Sequence, residues 1–204
     1  RMMMDFVGPS DVFTTTNLFL KYSGKCSGYD VMIASPTADK KVTTGAGADL
    51  LCQMSVLDIK SNIDTLIISN YESRESPPES FEPFYKWLSK RTEKNTRRIA
   101  SVCAGTFALA KAGLVNNRKV TTHWEQNEKL QNSYPLLRVD TNPFYLKDGH
   151  IYTSGGVSSG IDLALAMVEE DFGKDVAIQV ARELVVYLYR PGYQSQFGNL
   201  LPVI

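Results

Sequence analysis

The chain is poor in side chains that make disulfides or hold metals: its 204 residues contain three cysteines and two histidines. Cys26, Cys52 and Cys103 are odd in number and far apart. That excludes a disulfide scaffold or a zinc knuckle and predicts reduced thiols in a cytoplasm. His123 and His150 with scattered cysteines do not compose a metal centre, so neither a metal nor a cofactor is expected. Net charge is lacking too, because 22 Lys and Arg balance 22 Asp and Glu. Such a chain has no general electrostatic grip on nucleic acid or an anionic membrane. No apolar run is long enough to span a bilayer, and no signal peptide is legible behind Arg1. Internal repeats, low-complexity segments and a natural point of division are also missing.

What remains is ordinary globular composition, 43% hydrophobic and 22% charged, in a length suited to one sizeable core. Short apolar strands alternate with amphipathic helices. Gly8 to Phe13 reads as a turn entering a helix that runs to about Lys21. Tyr29–Ala34 and Asp64–Ser69 read as strands. Pro77 and Pro78 open a helix with Phe81, Phe84, Tyr85 and Leu88 on one face, and Pro83 falls in its first turn. Arg98–Val102 is a strand, Gly105–Ala112 a helix, and Lys119–Thr122 a short strand, with Trp124–Gln131 helical. Asp148-Gly149 marks a hairpin. A helix capped by Ser158 or Ser159 ends at Gly173, and another is predicted over Lys174–Tyr189. The alternation predicts an α/β sandwich with a mostly parallel sheet.

Ligands in such sheets gather beyond the carboxyl ends of the strands. Cys103 ends an apolar run, Ile99–Val102, and is followed at once by Ala104, Gly105 and a helix. That is the pattern of a nucleophile elbow, in which the helix N-terminus favours a thiolate. A small cysteine filling a strand end has the same pattern. His123 follows Thr121-Thr122, and Asp11 sits in the opening helix. Cysteine, histidine and carboxylate together can form an activated nucleophile with an orienting base, although a lone histidine also serves as a helix cap. Gly155-Gly156-Val157-Ser158-Ser159-Gly160 lacks the Lys-Ser or Lys-Thr ending of a phosphate loop and is read as a turn that lets backbone approach Cys103.

Ser101-Val102-Cys103-Ala104-Gly105, Thr121-Thr122-His123-Trp124, Thr153-Ser154-Gly155-Gly156-Val157 and Gly160-Ile161-Asp162-Leu163-Ala164-Leu165 occur in this order. Together they resemble the ThiJ/PfpI branch of the class I glutamine amidotransferase-like superfamily. The resemblance implies a flavodoxin-like three-layer sandwich, usually dimeric, with a cysteine nucleophile elbow at Cys103, a motif histidine at His123 and an early carboxylate at Asp11. It also implies a first strand ahead of Met4–Pro9 that is missing here. The ligand-binding set expected around the elbow is Asn70, Tyr71, Ala104, Gly105, Trp124, Gly155 and Gly156.

Tyr187-Leu188-Tyr189-Arg190-Pro191-Gly192-Tyr193-Gln194-Ser195-Gln196-Phe197 is similar to the end of the sensor domain of GlxA-type, AraC-family transcription regulators. The resemblance implies a domain over residues 1–197 and a linker beginning at 198–204 toward a helix-turn-helix domain absent from this chain. It implies a cytoplasmic, homodimeric sensor that binds a small molecule and meets DNA only through that other domain. Enzymes of the superfamily carry a Gly-Gly turn where this chain has Ser69-Asn70-Tyr71-Glu72. A tyrosine there hinders the close backbone approach that an oxyanion hole needs. The alternative is a cysteine enzyme, an isocyanide hydratase or amidase-like hydrolase, with Cys103 as nucleophile and Asp11 as acid.

Overall fold

The computed structural model describes residues 2–24, 28–69, 79–195 and 197. In chain order the strands are β1 (Ala34–Ser35), β2 (Lys41–Thr43), β3 (Asp49–Leu51), β4 (Met54–Ser55), β5 (Ile63–Ile68), β6 (Thr96–Val102), β7 (Lys119–Val120), β8 (Arg138–Val139), β9 (Tyr145–Asp148) and β10 (Ile151–Ser154). The helices are α1 (Met4–Tyr22), α2 (Glu82–Leu88), α3 (Gly105–Lys111), α4 (Asn127–Ser133), α5 (Ser159–Phe172) and α6 (Lys174–Glu183).

The fold is α/β, and its sheets are small and only partly parallel. The main sheet has the order β5-β6-β10-β9, with β5, β6 and β10 parallel and β9 returning antiparallel. The hairpin at Asp148-Gly149 is therefore present. Three two-stranded pairs, β1-β4, β2-β3 and β7-β8, stand apart from it. Strand β6 is central and apolar because both its faces are covered. Ile99 packs in one cluster with Phe84 and Leu88 of α2, Leu109 of α3 and Ile151 of β10. Its neighbours Ala100 and Val102 pack with Val12, Leu163, Met167 and Val180 among α1, α5 and α6. The period of two along the strand divides these side chains between two cores.

Several elements depart from the expected bounds. Helix α1 begins at Met4 and carries Pro9 inside it, past the first turn, where the ring removes one i→i−4 helical hydrogen bond. Of the strand expected over Tyr29–Ala34, only Ala34 pairs, together with Ser35 beyond it. The residues before them are tied by side chains instead: the Asn17 amide binds Tyr29 N and O, both at 2.7 Å, and Gln53 Oε1 accepts from Ile33 N–H. Strand β7 stops at Val120, and Trp124–Gln126 is a 3-10 turn before α4. Helix α6 stops at Glu183, not Tyr189, because Val185 takes the left-handed conformation at φ 57° and Val186 N–H turns back onto Ala181 O. The apolar face of α5 is covered within the chain, since Leu163, Leu165, Met167 and Val168 are all buried. Pro77, Pro78 and residues 198–204 lie outside the described residues.

Arg98, 2% exposed, anchors the opposite end of β6. Its guanidinium donates to Asp171 Oδ2 at 2.6 Å and to Thr65 Oγ1 at 3.0 Å. Tyr29 O–H donates to the same Asp171 oxygen at 2.8 Å. Burial and Asp171 together push the Tyr29 phenol up. The network ties β5, β6, α5 and the extended segment before β1 together.

Candidate functional site

The site forms where β6 ends. Cys103 follows Val102 with φ 58° and α3 begins two residues later. A non-glycine residue in this region is held there by its surroundings. Cys103 N–H donates to Ser154 O at 3.1 Å, which extends the β6-β10 ladder by one residue. Cys103 O accepts from Thr122 Oγ1 at 2.9 Å. Thr106 Oγ1 hydrogen-bonds with Ser101 Oγ and donates to Thr121 O at 3.0 Å. Two glycines make the turn possible. A Cβ on Gly105 would strike the Ile68 carbonyl, and one on Gly156, at φ +88°, would strike the Cys103 side chain.

Asp5 is the carboxylate that faces this turn. It is fully buried in the first turn of α1, and its Oδ1 accepts from Val157 N–H at 2.7 Å. Asp11, the expected carboxylate, lies on the exposed face of α1. The helical period separates them: Asp5, Gly8, Val12, Thr15 and Thr16 share the buried stripe, and Asp11 does not. Reading α1 from Met4, and not from Gly8, was the signal that could have found Asp5.

The thiolate expected from the helix N-terminus is reversed. Burial pushes the Cys103 thiol up to about 12, and the negative charge of Asp5 adds to it. A hydrogen bond from the Ala104 backbone opposes the shift and is outweighed. Cys52 is also buried and free, and burial raises its thiol too.

His123 serves as a cap. Its Nδ1 accepts from Glu125 N–H at 3.4 Å at the start of the 3-10 turn, and its ring lies 5.7 Å from that of Trp124. It lines a cavity of about 200 Å³ together with Trp124, Gly155, Gly156, Ser158, Arg190 and Gln194. Gly156 thus belongs both to the cavity wall and to the Cys103 turn. A second cavity, about 400 Å³, shares Trp124 and Gln194 and continues over α4. Of the expected ligand set, Trp124, Gly155 and Gly156 line these cavities, while Ala104 and Gly105 are buried beneath the turn. Asn70 and Tyr71 lie outside the described residues.

Besides Asp5, the residues missed by sequence reasoning are on the segment after α6. Gln194 is 2% exposed although Gly192, Tyr193 and Ser195 around it are exposed. Its Nε2 donates to Pro143 O at 2.7 Å and to Thr121 Oγ1 at 3.0 Å, and its backbone N–H donates to Asn142 O. Its side chain fills the space a Cβ on Gly155 would take. Arg190 pairs with Asp162 at 2.7 Å, donates to Ser158 Oγ at 3.1 Å and sits 3.8 Å from the centroid of the Phe144 ring. Burial pushes the Asp162 carboxyl up, and Arg190 opposes that rise. The unusual string around Arg190 and Gln194 was legible; that it walls the cavities was not. Among the described residues no group of His, Cys, Asp and Glu could hold a metal ion, and no helix is long and apolar enough to cross a membrane.

A sequence profile of the DJ-1/PfpI family matches residues 3–170. The HTH-type transcriptional regulator CdhR of Pseudomonas aeruginosa is 35% identical over 111 residues, 54% of this chain and 32% of that protein. An isonitrile hydratase of Pseudomonas putida is 33% identical over 106 residues, 52% of this chain and 45% of that protein. The chain therefore spans less than half the length of these curated relatives. In fold it is similar to a crystal structure of an AraC family transcriptional regulator from Pseudomonas putida, with a TM-score of 0.71 at 19% identity, covering 89% of this chain and 92% of that one.

Proposed function

The chain belongs to the DJ-1/PfpI family, and on that premise we propose that it is the small-molecule-sensing and dimerisation part of an AraC-type transcription regulator. In this reading the protein is cytoplasmic and meets DNA through a separate domain. The observation that carries the reading is the position of Gln194. Gln194 stands in the wall of both cavities and Arg190 in that of the smaller one, both on the segment that follows α6. A molecule entering either cavity touches the strand of chain that would lead to an effector domain, which gives it differential contact with two states of that segment. The kinship with CdhR supports the same conclusion. So does the raised Cys103 thiol, which is protonated at neutral pH and a poor nucleophile. Pairing of two copies would draw on Val185, Tyr187 and Tyr193, apolar or aromatic side chains exposed on the single chain.

A second reading has one specific observation behind it. Cys103 sits between a strand and a helix at φ 58°, which supports reading it as a nucleophile elbow; the Ala104 backbone hydrogen-bonds the thiol, and Asp5 is close enough to act on it electrostatically. With an isonitrile hydratase among the relatives, that arrangement suits attack on an electrophilic carbon followed by proton transfer from a carboxyl group.

A thermal-shift screen of small amines, amides and nitriles, with product analysis on each hit, separates the two. Sensing predicts a hit that stabilises wild type and Cys103→Ala alike and is recovered unchanged. Turnover that vanishes in both Cys103→Ala and Asp5→Asn would overturn it in favour of the enzyme.

A further inference from the structure

Gln194 enters the interior from a stretch of chain that otherwise lies outside it. Pro191, Gly192, Tyr193 and Ser195 are exposed, and Gln194 is buried between them. A strap held by one buried side chain opens locally with far less free energy than the whole fold requires. What that side chain touches decides what its release does.

Two short bridges join Gln194 to Cys103, each made of two adjacent residues. The first is Thr121-Thr122. Thr121 Oγ1 accepts from Gln194 Nε2 at 3.0 Å, and Thr122 Oγ1 donates to Cys103 O at 2.9 Å. Both threonines are fully buried, so breaking either bond leaves a polar group without water. The second bridge is Gly155-Gly156. A Cβ on Gly155 would strike the Gln194 carboxamide, and one on Gly156 would strike the Cys103 side chain. The two glycine backbones are therefore packed between the two side chains. Thr153 Oγ1 accepts from Thr121 N–H at 2.9 Å, which ties the first bridge to β10, and the chain runs from β10 straight into the second.

Groups packed in such a ring do not move separately. Withdrawing Gln194 breaks its bond to Thr121 and empties the space in front of Gly155. The glycine pair can then move away from Cys103. In the other direction, an added group on Cys103, 6% exposed and backed by Gly156, pushes the same backbone toward Gln194.

We propose that Gln194 is a latch, and that release of the segment after α6 and opening of the Cys103 turn are one coupled event. Such coupling is reciprocal, whichever end is disturbed. The proposal deepens the sensing reading and rests on it only for its consequence, that a molecule in the smaller cavity, which Gly155, Gly156 and Gln194 line together, sets the latch.

The test uses the whole chain without ligand. Iodoacetamide labelling of Cys103 at pH 9 reads the turn. Hydrogen exchange over residues 190–195 reads the latch, and exchange over residues 96–102 in β6 reads the fold. Gln194→Met keeps bulk against Gly155 and loses the bond to Thr121, while Gln194→Ala loses both bridges. Labelling of Cys103 is expected to be about fivefold faster in Gln194→Met, the value of one hydrogen bond, and roughly twentyfold faster in Gln194→Ala, with exchange over 96–102 little changed. Wild type carbamidomethylated at Cys103 is expected to exchange about fivefold faster over 190–195 than the unlabelled chain. Labelling of Gln194→Ala at the wild-type rate, unchanged exchange over 190–195 after carbamidomethylation, or exchange over 96–102 that speeds up by the same factor overturns the proposal. If the latch results hold while none of the amines, amides and nitriles of the thermal-shift screen alters exchange over 190–195, the latch stands and the sensing reading falls. If one of them slows exchange there in wild type and Gln194→Ala alike, the latch falls and the sensing reading stands.

Discussion

Asp5 holds the backbone of Val157, with 2.7 Å between its Oδ1 and the amide nitrogen. Val157 has φ 51° and follows Gly156, whose backbone lies against the Cys103 side chain. One buried carboxylate therefore fixes the glycine loop and places a negative charge near the thiol. Asp5→Asn keeps an acceptor for Val157 and removes the charge. The Cys103 thiol should then ionise at lower pH, so alkylation at pH 9 should be several-fold faster than in wild type. Iodoacetamide labelling with peptide mapping measures this, and a slower or equal rate would refute the electrostatic assignment.

Gly156→Ala should cost more than about 2 kcal/mol of unfolding free energy, because the new methyl meets the Cys103 side chain at a positive φ. Gly24 also has a positive φ, but nothing lies within 4 Å of its added Cβ. Gly24→Ala should therefore cost only about 1 kcal/mol, the strain of the backbone alone. Urea midpoints of the two variants give the comparison.

Arg98→Ala should lose about 3 kcal/mol, since it leaves Asp171 partly buried without its 2.6 Å partner. Arg98→Met, which fills the space with an apolar chain, should lose less. Equal losses would mean that the lost ion pair, and not the filled space, sets the cost at this end of β6.

Arg190→Gln should free the segment after α6 and change the pH dependence of stability. Asp162 is raised by burial and held back by Arg190, so removing the guanidinium raises it further. The folded state then binds the Asp162 proton more tightly than the unfolded state, and stability falls as pH rises. The variant should therefore regain more stability than wild type on acidification from neutral pH toward the ordinary carboxylate range. Exchange of the Gln194 amide, bonded to Asn142 O, should also be faster in the variant.

Much of this was legible in the sequence where local pattern and tertiary setting agree. Phe84, Tyr85 and Leu88 sit at helical spacing and are buried in α2 as that spacing requires. Cys103 lies at the strand-to-helix turn that its flanking apolar and small residues predict. Chemistry at Cys103 was not legible, because a helix N-terminus is visible in sequence and the burial that outweighs it is not. Asp5 is hidden in the sequence because a helix begun at Gly8 leaves it outside the element, although it continues the buried stripe of Gly8 and Val12 from which Asp11 is excluded. Gln194 was invisible because its partners, Thr121, Asn142 and Pro143, are more than fifty residues away along the chain. Val185 ends α6 within an apolar run that reads as continuous helix, since a left-handed valine leaves no mark in the pattern.

The most direct test of the account is the pH profile of Cys103 alkylation in the wild-type chain. With its thiol pushed up to about 12, the rate should climb about tenfold for each pH unit from 7 through 10 without levelling. That outcome fits a binding site built around a protonated cysteine. A rate that levels off below about pH 8 would show a thiolate at physiological pH and contradict the sensing account in favour of a cysteine enzyme.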